Sequence, residues 1–93
     1  MNIQEFEAQL KADNFDEITL LEKPIGYAMG EHTHPFEAKA LITQGDITLT
    51  VNGVSTTYGV GDIFHLPAQT PHHENAAPHG VTYLVGRKHP VSA

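Results

Sequence analysis

The chain has no cysteine, and only five of its 93 residues are lysine or arginine, set against eleven aspartates and glutamates for a formal charge of −6. Without cysteine there are no disulfides and no thiolate ligands, so any metal must be held by histidine, carboxylate, carbonyl or water. The five bases, Lys11, Lys23, Lys39, Arg87 and Lys88, are scattered and form no patch that would track phosphates, which argues against a nucleic-acid partner. No apolar run approaches the 18 residues of a membrane span, and the first residues, Met-Asn-Ile-Gln-Glu-Phe-Glu, are acidic where a signal peptide would be basic and then apolar. The expectation is a soluble, cytoplasmic protein. Internal repeats and low-complexity segments are also missing. A chain of this length is one small domain that buries roughly 60 to 65 % of its unfolded surface, so a bound metal or a partner subunit would add usefully to its stability.

Histidine, in contrast, is frequent, with seven in the chain. His32 and His34 lie two apart, and in a strand both imidazoles leave the same face. A second landmark, Gly61 to His72, carries Pro67 and Pro71, whose turn could return a third imidazole to the same place. Three nitrogen ligands suit a transition metal rather than calcium or magnesium.

Ile3, Phe6 and Leu10 recur at helical spacing, with Asn2 as N-cap and Glu5 three residues on, so the spacing predicts a short amphipathic helix over residues 2–13. After it almost everything reads as strand and turn. Residues 15–22 form a first strand ended by Pro24; Lys39–Thr43 a strand closed by a Gln44-Gly45 turn; residues 46–51 and 54–58 a hairpin about Asn52-Gly53. Ile63–Leu66 and Val81–Val85 follow, the latter ended by Gly86. Short strands at intervals of about 8 to 12 residues leave no room for βαβ crossovers and indicate an all-β sandwich or barrel.

These residues resemble the cupin family, of the small single-domain, RmlC-like type. In its first motif Gly26, His32, His34 and Gly45 fall in register, with Ala38 where a glutamate is expected; in its second, Gly61, Pro67 and His72 fall in register, with Gln69 in place of a glycine and Ala76 in place of asparagine. The resemblance covers roughly residues 26–76. It implies a double-stranded β-helix, the jelly-roll barrel, over about residues 15–88 behind the helix, in a single domain of residues 1–93. It also implies a metal inside one mouth of the barrel, with His32, His34 and His72 as ligands. The metal would be a divalent transition ion such as Zn, Fe, Ni or Mn.

Strand parity puts Phe36, Ala38, Ala40 and Ile42 on the face of the two histidines, and Glu37 and Lys39 on the other. Glu37 would then ligate only if the strand were bulged. Ala38 leaves a coordination position open for water or a small-molecule ligand in the barrel. His65 is the candidate for proton transfer if it lines the barrel. His73 should point away from His72, and His79 and His89 should be solvated. Tyr27, Met29, Phe36 and Tyr83 suit core or pocket wall. No arginine pattern marks an acid-binding clamp, and the inward polar candidates are His65, Gln69 and Thr43.

Three functions fit: a metal-binding cupin holding a small ligand, a non-haem Fe(II) dioxygenase of the three-histidine type, or a metal-free sugar-binding or sensor module. Whether the chain is an enzyme stays open. The family resemblance further implies a homodimer that pairs through outer sheet faces, with Leu41 a candidate contact.

Overall fold

The computed structural model describes residues 1–76 and 78–89, so the end of the expected 1–93 domain lies outside the described residues. One helix, α1 (Ile3–Ala12), precedes seven strands: β1 (Glu17–Lys23), β2 (Ala28–His32), β3 (Glu37–Val51), β4 (Val54–Gly59), β5 (Ile63–Leu66), β6 (His72–Asn75) and β7 (Val81–Lys88). All pairings are antiparallel. The result is the all-β jelly-roll barrel with a short N-terminal helix.

Strand β3 ties the barrel together. Its first half pairs with β7 and β5, and β7 in turn with β1; its second half pairs with β4 and β6, and β6 with β2. The Gln44-Gly45 pair, expected to be a turn, instead lies inside this fifteen-residue strand. The register against β7 slips between Ile42 and Gln44, so one extra residue, Thr43, bulges there and its hydroxyl donates to the Thr82 carbonyl at 3.2 Å. The bulge swaps the parity of the strand: Ala38, Ala40 and Ile42 face the core before it, Ile47 and Leu49 after it. Gly45 has φ 69°, and a Cβ on it would stand 2.1 Å from the Gly80 carbonyl oxygen, so only glycine fits where the strand crosses from one sheet to the other. Asn52 and Gly53 have φ 52° and 77°, the positive pair that a tight hairpin demands.

The barrel interior is filled by one apolar cluster that includes Ala40, Ile42, Ile47, Phe64, Val81 and Val85. A second cluster lies outside it. Phe6 and Leu10 of α1, with Phe15, pack on Leu41 and Leu84. The helix begins as its sequence predicts: the Glu5 N–H donates to Asn2 Oδ1 at 2.8 Å, and the Asn2 N–H to Glu5 Oε1 at 3.1 Å. Gly86, expected to end the last strand, continues it to Lys88, because a Cβ there would meet Leu10 Cδ2 at 2.8 Å; the bare backbone is what lets α1 sit down. Leu41, the expected dimer contact, is therefore covered by the chain's own helix. No helix among the described residues is long and apolar enough to cross a membrane.

Candidate metal centre

His32 ends β2, His34 follows two residues on, and His72 opens β6; His32 and His72 are register partners across the β2–β6 pair. The three rings lie close, with centroids 4.3 to 5.1 Å apart. A short loop reinforces this: the Gln69 N–H donates to the His34 carbonyl at 2.8 Å, and Gln69 takes φ 62°, the positive value that glycine supplies in the motif it departs from. Gln69 itself is exposed, and Thr43 sits in the bulge, so neither serves as an inward polar group.

A fourth group joins the histidines. Glu74 lies two residues beyond His72 on β6, so its side chain leaves the same face. His32, His34, His72 and Glu74 each offer a ligand atom, all within 4.8 Å of one another. Glu74 Oε2 is 2.8 Å from His32 Nε2, 3.0 Å from His72 Nε2 and 3.7 Å from His34 Nε2. The carboxylate absent at position 38 is thus supplied from the opposite strand. The parity that pairs His32 with His34 applies equally to His72 and Glu74, and it was the available signal.

Ala38 does face inward, and lines the cavity with His34, His72 and Glu74. The bulge of β3 falls at Thr43, far from Glu37, which therefore keeps its outward direction. There it meets His65 Nε2 at 2.5 Å, and His65, half exposed, shares the outer face with Lys39, its register partner. The structure thus places His65 outside the barrel, away from the centre. His73 is exposed and points opposite to buried His72, as alternation requires. His79 is exposed, and exposed His89 approaches Asp16 and Glu17 at 3.9 and 3.7 Å.

The second ring nitrogens decide what the cluster is ready to hold. His32 Nδ1 is 2.7 Å from the Gly30 carbonyl and His72 Nδ1 is 2.9 Å from the Thr70 carbonyl. A carbonyl can only accept, so each Nδ1 carries the proton and, in the neutral ring, each Nε2 is a bare lone pair. Those lone pairs point at a carboxylate oxygen. Two acceptors at such distances need a cation between them, either a proton on the ring or a metal ion.

The surroundings lean the same way. Burial lowers the His34 pKa, and the neighbouring His32 and His72 charges add to the effect against the opposing Glu74, so His34 favours the neutral, ligating form. Burial resists ionisation of Glu74, but the hydrogen bonds and charge that the His72 and His32 rings offer when doubly protonated outweigh it and hold the carboxyl below its usual range. Tyr27 donates to Glu74 Oε1 at 3.3 Å; burial, then the Glu74 charge and this bond, push the phenol up to about 12.

Comparison with known proteins agrees with this architecture. The family profile described as a cupin domain matches residues 20–85. No curated protein sequence matches the chain. Among solved structures, a conserved protein of unknown function from Streptococcus pyogenes is 25 % identical, with a TM-score of 0.68 over 81 % of this chain and 65 % of its own. A protein of unknown function from Rhizobium leguminosarum is 16 % identical (TM-score 0.71, 80 % of this chain and 69 % of its own). An RmlC-like cupin from Shewanella frigidimarina is 18 % identical (TM-score 0.64, 75 % and 63 %). The chain thus spans about two thirds of the length of these structures.

Proposed function

The chain belongs to the cupin domain family, and from that premise we propose that it binds one divalent transition metal through His32, His34, His72 and Glu74 and presents the ion to a small molecule in the barrel. The single observation that carries this reading is the pair of bare Nε2 lone pairs facing the Glu74 carboxylate. Three nitrogens and one oxygen suit Zn, Fe, Ni or Mn, with further positions left for water or ligand. When bound, such an ion supplies Lewis-acid polarisation and a template for the ligand. Tyr27 holds the second Glu74 oxygen, and the Gly30 and Thr70 carbonyls hold the two imidazoles in the ligating tautomer. The dioxygenase alternative calls for three histidines without a carboxylate, and the position of Glu74 among them favours the four-group reading. A metal-free module gains no support from lone pairs set against a carboxylate.

Protein purified without a histidine tag, stripped with chelator and dialysed against Zn(II), should retain about one metal per chain by elemental analysis. His34→Ala should retain little. Equal retention by the variant, or none by the wild type, overturns the reading.

Pairing of two chains belongs to the same proposal. Leu20, Leu84, Leu41 and Ile63 form a row of register partners across the outer face of β1, β7, β3 and β5. The helix covers the middle two, while Leu20 and Ile63 remain exposed and are the contacts available to a second copy. Light scattering should give twice the 10.1 kDa chain mass, and Leu20→Glu should return it to the single value. A monomeric wild type refutes the pairing.

A further inference from the structure

His34, His72 and Glu74 border a cavity of about 50 Å³. At roughly 10 to 15 Å³ for each water-sized position, it takes about three to five non-hydrogen atoms. Its walls are mostly apolar, among them Leu49, Phe64, Leu66 and Val85. Two polar groups that the metal centre does not use also reach it, and both come from the inner face of β7: Tyr83 and Arg87.

Tyr83 is only 5 % exposed. Among the described residues its hydroxyl makes no hydrogen bond, while no fully buried side-chain oxygen or nitrogen is left unbonded, so the phenol oxygen meets the cavity rather than sealed protein. Burial, and then the Glu74 charge, push its pKa up, which keeps it a proton-bearing donor. Arg87 lines the cavity with a side chain that is 31 % exposed. Its guanidinium lies 5.0 Å from the centre of the Phe36 ring, and that ring stacks on His34 at 4.8 Å, so a single aromatic ring separates the cation from the metal centre. Its one ion pair among the described residues, Nη1 to Glu17 Oε1, is long at 3.5 Å and reaches a half-exposed carboxylate, leaving most of its five donors available to a ligand.

A divalent ion on three neutral imidazoles and one carboxylate keeps a net positive charge, and Arg87 adds a second positive end. Between them the wall is apolar. We propose that this cavity is a subsite for a two-carbon carboxylic acid bearing one further polar group, its carboxylate held by Arg87, with Tyr83 donating to a ligand oxygen and the metal centre facing the remaining polar group. The inference rests on the metal reading above and assigns the ligand class of that same site.

The test uses Zn-loaded protein, with metal content measured on every sample, and glycolate as probe beside its neutral amide, glycolamide, in calorimetric titrations. Wild type should bind glycolate at least tenfold more tightly than glycolamide. Arg87→Gln should lose that preference while retaining its zinc, Arg87→Lys should recover part of it, and Tyr83→Phe should weaken both probes. Zinc-loaded wild type that does not distinguish the two probes overturns the acid subsite and leaves the metal reading standing, as does an Arg87→Gln variant that keeps the full preference. Failure of the wild type to load zinc overturns both.

Discussion

Replacing Glu74 by glutamine should weaken the hold on a metal ion, because it removes the one negative charge among the four converging groups. Glu74 Oε2 lies 2.8 and 3.0 Å from His32 Nε2 and His72 Nε2, in a site where the Glu74 side chain is only 11 % exposed. The Nδ1 protons of both rings are committed to the Gly30 and Thr70 carbonyls, so in the neutral rings each Nε2 can only accept. A glutamine amide donates to one of these lone pairs, competes with the ion for it and brings no charge. Zinc affinity should fall at least tenfold, reducing the stabilisation by excess zinc by about 1.4 kcal/mol for each factor of ten. For a domain of this size each such factor removes about 7 °C from the rise in Tm that zinc gives. Thermal melts of chelator-treated wild type and variant, with and without added zinc, measure it. A variant with unchanged zinc affinity would refute the reasoning.

Three further outcomes follow from the same geometry. Metal-free wild type should lose stability on acidification in two windows: His34 has a lowered folded pKa, so the unfolded chain takes up its proton first as pH falls below 6.5, and Glu74, also lowered, adds its loss below 4.5; urea melts across this range should show a monotonic fall, and a stability maximum at acidic pH contradicts it. Gly45→Ala forces a Cβ to 2.1 Å from the Gly80 carbonyl at positive φ, and the displaced crossing of β3 should cost several kcal/mol, more than about 10 °C in Tm, so an alanine variant melting within a degree or two of wild type would show that β3 does not bend there. Ala38→Glu adds a second buried carboxylate beside Glu74, which should destabilise the metal-free protein by several kcal/mol and raise the stabilisation gained from zinc above that of wild type; a variant that melts early whatever is added places residue 38 away from the ion.

Much of this protein is written in local chemistry. The Asn2–Glu5 capping box starts α1 because both partners lie three residues apart in the chain. Asn52-Gly53 makes its hairpin because the two residues tolerate the positive φ the turn imposes. The family resemblance carried by His32, His34 and His72 within two glycine and proline frameworks implied the barrel and three of the four converging groups. What stayed hidden depends on partners distant in sequence. Gln44-Gly45 looks like a turn until Gly80 and β7 are in place, and only then does it continue the strand past the Thr43 bulge from one sheet into the other. Gly86 looks like a strand end until Leu10 needs the space of its absent side chain. Leu41 has an outward apolar side chain by parity, and only the docking of α1 decides that it is already covered. His65 and Arg87 show no local mark of which face they take: strand alternation sets their directions only relative to a register fixed by pairing across β3, β5 and β7. Alternation along one strand is a property of the chain, but which face is the inside is decided by the sheets that close around it.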